Sequence, residues 1–153
     1  MNFYQLPSGD VAGFDDPAQA PAAASEISAQ QFAQIATAIV LTAAQQLAQQ
    51  ASALLAAGLA ITSNGTPSLN GTYAVDQLSQ MDIIAVETSL NAGKGFPGGV
   101  TAFNYPTEAG ALNGFSEANF TDFAAAVRDF VYACKSVIAG QSTTLPANTV
   151  TIA

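Results

Sequence analysis

The segment Asn91-Ala92-Gly93-Lys94-Gly95 sets a lysine among glycines, the setting in which backbone amides and an ammonium cradle a phosphate. The phosphate-loop pattern also requires a glycine where Thr88 stands and a Ser or Thr where Gly95 stands, so the segment reads as a loop that ends a helix. Asp10, Asp15 and Asp16 lack the ligand ladder of a calcium loop and read as a solvated turn. Asp82 with Glu87, and Glu117 with Asp122, have the spacings of a helix surface and not of two acids held across a sugar. Cys134 falls on an apolar helical stripe, while Arg128 and Lys135 fall on the exposed side of that helix near Asp129. The chain has no histidine and a single cysteine, so it lacks the commonest general base and can form neither an internal disulfide nor a thiolate metal cluster. No catalytic residue, metal site or cofactor is expected, and the chain reads as no enzyme. The glycosylation-type triplets at Asn64, Asn70 and Asn119 read as chance in an Asn/Thr-rich chain.

The 153 residues suit one domain with a small arm. Half are apolar, but alanine dominates them, so the core is expected to be thin. Eleven acids against three bases give a net charge of −8, which repels polyanions and excludes nucleic acid as a partner. The opening Met1-Asn2-Phe3-Tyr4-Gln5 has neither the basic nor the apolar region of a secretory signal, so a cytoplasmic origin is expected, in keeping with a single cysteine. The most apolar window, Ile35 to Ala44, is about half the roughly 20 residues a bilayer span needs, so no membrane span is expected.

The elements that would carry these residues are legible in turn. Phe3-Tyr4 and Val11–Phe14 flank Pro7-Ser8-Gly9-Asp10, which signals a hairpin, and Pro17 to Ala24 reads as a Pro/Ala connector. Ser28 with Gln31 forms a capping box, with Ile27 stapled onto Phe32, and opens a helix that runs to Gly58, about eight turns and roughly 45 Å. Leu59–Thr62 and Gly71–Val75 read as a second hairpin whose turn contains Asn64-Gly65 and Asn70-Gly71, both suited to positive φ. Asp76 caps a helix to Asn91 that buries Leu78, Met81, Ile84 or Ala85, and Leu90. Val100–Tyr105 and Ala111–Phe115 form a third hairpin. Ser116 then caps a helix with Phe120, Phe123, Val127, Phe130 or Val131, Cys134 and Ile138 on one face, ending at Gly140. The tail after Gly140 alternates Val150 and Ile152 with threonine, as an edge strand would. The expected fold is α+β: an N-terminal hairpin arm and linker (1–27), a long uncharged helix (28–58), a compact α+β domain (59–140) and an extended tail (141–153).

From Ile27 to Val75 the chain carries no charge. Its long helix either lies on its own domain or is covered on both faces, since uncharged Ala/Gln surface adheres to other helices. Val40, Leu47 and Leu54 repeat at seven residues with Ala43 and Ala57 at the facing step, although Gln50 interrupts the seam; this favours a homo-oligomer.

Phe3-Tyr4, Gly13-Phe14-Asp15 and Pro21-Ala22 leading into Glu26-Ile27-Ser28 with Gln30-Gln31 resemble the opening of bacteriophage tail fibre assembly proteins. The stretch from about Gln45 to Gly140 resembles a domain of unknown function that recurs in phage tail fibre and tail fibre assembly proteins. The similarity there lies in the Ala/Gln helix, Leu69-Asn70-Gly71-Thr72-Tyr73-Ala74-Val75-Asp76, Phe96-Pro97-Gly98-Gly99 and Phe120 to Val131. The resemblance implies a non-enzymatic phage tail protein that binds a tail fibre or baseplate protein. It would act as a chaperone-like assembly factor in the host bacterial cytoplasm or as a structural component retained in the virion tail. The assembly proteins place a short glycine-containing segment after the opening, where this chain runs straight into the uncharged helix. Partner contacts are expected at Phe3, Tyr4, Phe14, Phe32, Ile39, Val40, Leu47 and Leu54. An alternative reading is a receptor-recognising tip that presents Tyr73, Phe96, Phe103 and Tyr105 from glycine-rich loops.

Overall fold

Capping residues, more than helix propensity, divide this chain. A computed structural model describes residues 1–37 and 41–153, which fall into two compact units, Met1–Leu41 and Thr42–Ala153. Among the described residues, four α-helices and eight short strands in three small sheets make the fold α+β, as expected.

In the N-terminal unit, β1 (Asn2–Gln5) and β2 (Val11–Phe14) form the expected antiparallel hairpin, with Phe3 opposite Gly13. Its turn is closed by the Leu6 amide donating to the Asp10 carbonyl at 2.8 Å, with Gly9 at φ +90°. The Pro/Ala connector is more structured than its composition suggests. Asp16 caps a short 3-10 turn at Pro17–Gln19, and β3 (Ser25–Ile27) pairs with the other side of β1, giving the order β2-β1-β3. Ser28 then caps α1 (Ala29–Thr37) as read from the sequence: its hydroxyl accepts from the Gln31 amide at 3.1 Å, and the Gln31 side chain accepts from the Ser28 amide at 2.9 Å.

The single helix expected over 28–58 is not formed. At Thr42 the backbone is extended (φ −62°, ψ 158°), and a second capping box starts α2 (Ala43–Ala57), with Gln45 and Thr42 each accepting from the other's amide. The physical reason is that Thr42-x-x-Gln45 repeats the Ser28-x-x-Gln31 pattern, and a β-branched threonine loses less as an extended cap than inside a helix. Helix α1 therefore belongs to the N-terminal unit and α2 to the C-terminal one.

The C-terminal unit continues with β4 (Leu59–Ser63), β5 (Gly71–Tyr73), α3 (Gln77–Asn91), β6 (Phe103–Pro106), β7 (Leu112–Phe115), α4 (Glu117–Ile138) and β8 (Thr149–Ile152). Gly58 turns α2 into β4 at φ +77°, where a Cβ would lie 2.6 Å from the Tyr73 carbonyl oxygen, so no other residue fits. The hairpins β4–β5 and β6–β7 are antiparallel as expected, but the first is not closed by positive-φ glycines. A 3-10 turn at Pro67–Leu69 connects it, and the Asn70 side chain accepts from the Ser63 amide at 2.7 Å. The C-terminal segment is no separate tail. β8 is an edge strand parallel to β4 in the order β5-β4-β8, with Val150 opposite Ile61, and Ile152 is buried.

Helix α4 is the hub, packing against α2, α3, β4, β7 and β8. It buries Phe120, Phe123, Val127, Phe130, Val131 and Cys134 as its spacing predicts, with Val137 inward in place of the exposed Ile138. Helix α3 is rolled away from the expected orientation. It buries Ile83 and Val86, with Leu90 half-buried, and leaves Leu78, Met81 and Ile84 at the surface. Two apolar stripes at helical spacing coexist on α3, and periodicity cannot choose between them; the neighbours α4 and Tyr105, whose hydroxyl reaches the Ser79 carbonyl at 3.4 Å, select the inner one.

Candidate interaction surfaces

Several of the residues with reactive side chains help to build the fold. Lys94 sits in the loop that ends α3, with its amide on the Ser89 carbonyl at 3.0 Å and the Ser89 hydroxyl on the Gly95 carbonyl at 2.8 Å. Glu87 accepts from Asn91 at 3.0 Å and from the Thr121 hydroxyl at 3.1 Å, tying α3 to α4. Asp76 accepts from the Ser79 amide at 3.0 Å, and that bond holds its carboxyl below the ordinary range. Arg128 pairs with Asp129 at 2.8 Å on the surface, which raises the guanidinium and lowers the carboxyl. Cys134 is fully buried, and burial pushes its thiol up, away from the reactive thiolate form. Among the described residues no cluster of histidine, cysteine or acidic side chains has the grouping a metal ion needs.

The expected partner-binding residues are divided between the two units. Phe3, Tyr4, Phe14 and Phe32 form two ring pairs in the N-terminal unit, Phe3 with Phe32 at 4.5 Å between centroids and Tyr4 with Phe14 at 5.8 Å. Tyr4 is buried and the other three are half-buried. Leu47 and Leu54 lie on α2, half-buried against the C-terminal core beside the fully buried Ala51. Of the seven-residue series, Leu47 and Leu54 therefore pack within their own unit. Ile39 and Val40 lie outside the described residues. The opposite face of α2, including Gln45, Gln49, Gln50, Ser52 and Ala53, is exposed and uncharged.

The expected receptor-loop aromatics are core residues. Tyr73, Phe96 and Tyr105 are buried and Phe103 is half-buried. They form one cluster with Phe115, Phe120 and Phe123: Tyr73 to Phe123 is 4.9 Å between centroids, and Phe96 stacks on Phe103 at 5.5 Å. The Tyr73 hydroxyl donates to the Leu69 carbonyl at 2.7 Å and accepts from Asn113 at 2.8 Å, which satisfies it in the interior, while burial raises its pKa. The glycine-rich segments bend the chain so that these rings turn inward, and the rings are not available to a ligand.

The apolar side chains that face outward include Leu78, Met81 and Ile84, which the sequence places in the core, and Tyr132, which it does not. Tyr132 is 72% exposed, Leu78 69%, Ile84 63% and Met81 59%. Ile84 and Tyr132 flank a groove of about 520 Å³ between α3 and α4, floored by Ile83, Val127 and Val131, with Glu87 and Lys135 also in its lining. The 3-4 spacing of Leu78, Met81 and Ala85 is the signal that marks this face. It reads equally well as burial, which is why sequence periodicity misplaced it. No family model matches the chain, nor does any curated protein or solved structure.

Proposed function

We propose that this chain is a non-enzymatic bacteriophage tail protein that binds a tail fibre or baseplate protein and self-associates. It acts either as an assembly factor in the host cytoplasm or as an attachment component retained in the virion tail. The observation that carries this reading is the large apolar side chains at the surface of the C-terminal unit, Leu78, Met81, Ile84 and Tyr132, the kind of surface a protein offers when it works by contact. The resemblance of residues 3–31 and 45–140 to phage tail proteins names the setting. The net charge of −8 opposes nucleic acid binding, and among the described residues no helix is long and apolar enough to cross a membrane. A receptor tip built on Tyr73, Phe96, Phe103 and Tyr105 is not carried forward, because those rings pack inside.

The test is deletion of the coding sequence from the phage, with mass spectrometry of purified virions. Stoichiometric presence in mature tails assigns the retained role. Absence from tails together with loss of assembled fibres on deletion assigns the assembly role. Wild-type fibres and infectivity from the deletion phage, with no copy in the virion, would refute the proposal.

A further inference from the structure

The groove between α3 and α4 has a polarity. At one end Glu87 is tied to Thr121 in the first turns of α4, while Lys135 lies in the last turn, about four turns or roughly 20 Å farther along. Acid and base therefore sit at opposite ends of one apolar channel. The chain has only three basic residues, and two of them, Arg128 and Lys135, line this groove. Arg128 is engaged by Asp129; among the described residues that is the one ion pair, and Lys135 has no carboxylate at ion-pairing distance.

We propose that two copies of this chain associate through the α3–α4 groove about a two-fold axis, with Glu87 of each copy facing Lys135 of the other. A two-fold axis across a groove reverses its direction, so an acid-to-base groove is complementary to itself and to no parallel copy. The exposed edge of α3, led by Ile84 and Met81, supplies the apolar ridge for the other copy's channel, and Tyr132 supplies a rigid aromatic of the kind enriched at interface centres. The result is a four-helix layer made of two helix pairs, which covers the outer stripe of α3 that the fold leaves bare. The exposed face of α2 carries no charge to orient a second copy, so the acid and base of this groove, with Arg128 between them already paired to Asp129, select this face. The inference specifies the self-association contained in the proposed function and rests on that part of it alone.

Sedimentation equilibrium of the full chain tests it. Wild type is expected at twice the 15.5 kDa chain mass at tens of micromolar. Ile84→Glu changes a side chain that is already exposed, so circular dichroism and melting should stay native while the dissociation constant rises about tenfold or more. Glu87→Lys and Lys135→Glu should each weaken the dimer about tenfold by opposing like charges twice, and the double variant should return to within about threefold of wild type. A wild-type monomer at every concentration would overturn self-association altogether. A dimer indifferent to all three changes would keep self-association and overturn this face. Weakening by the single changes without recovery in the double would overturn the antiparallel pairing. A monomer whose Ile84→Glu variant no longer joins the fibre would assign the groove to the fibre in place of a second copy.

Discussion

Thr42→Ala separates two architectures by the sign of its effect. In the structure Thr42 is extended, its hydroxyl accepts from the Gln45 amide at 3.2 Å, and its own amide donates to the Gln45 side chain at 2.8 Å. Alanine removes the first bond and loosens the second, a loss of about 1 kcal/mol for a capping threonine. Were residues 28–58 one continuous helix, position 42 would be interior, and replacing threonine by alanine would stabilise by about 0.6 kcal/mol. With a urea dependence of roughly 2 kcal/mol per molar for a domain of this size, the midpoint should fall by about 0.5 M in the first case and rise by about 0.3 M in the second. Urea titration followed by circular dichroism at 222 nm resolves that difference. Thr42→Ser, which keeps the acceptor, should stay near wild type. Ser28→Ala should destabilise under either architecture and serves as the control for lost capping. A rise in midpoint for Thr42→Ala would refute the division of the helix at this residue.

Phe123→Ala opens the centre of the aromatic cluster, where Tyr73 and Phe115 lie 4.9 and 5.1 Å away, and should cost about 3–5 kcal/mol in the same titration, whereas Tyr132→Ala should leave stability within about 0.5 kcal/mol. Equal effects from the two changes would refute the assignment of interior and surface. Cys134 should be inert to a thiol reagent in native buffer and react at the rate the C-terminal unit opens, so rapid labelling of the native protein would contradict its burial. The Asp76 carboxyl is held below its ordinary value of 3.8, so its stabilising contribution is full above that value and is lost as pH falls through the lower, folded value. Acid titration of unfolding should therefore show a decline below about pH 4 that Asp76→Asn makes shallower, and an unchanged acid limb in that variant would remove Asp76 from the account.

What the sequence determined by itself is local. The caps at Ser28, Asp76 and Ser116, the hairpins around Gly9 and between β6 and β7, the stop at Gly58 and the buried face of α4 all depend on hydrogen bonds and side-chain contacts within a few residues. The second capping box at Thr42-x-x-Gln45 was equally legible, but an unbroken Ala/Gln run concealed it, because helix propensity on both sides of a cap reads the same. Long-range packing selects which of two apolar stripes on α3 faces inward, sets Leu47 and Leu54 against the core, and turns Tyr73, Phe96, Phe103 and Tyr105 toward the interior. A period of 3.6 residues specifies that a helix has an apolar face; it does not supply the surface against which that face is pressed. For α2 and α3 that surface is α4, itself seated on β4 and β8, and the parallel pairing of β4 with β8 joins residues about 90 positions apart, beyond the range of any sequence window. The candidate interaction face followed from the same choice: once Ile83 and Val86 turned inward, Met81 and Ile84 were left outside, with Ile84 across the groove from Tyr132.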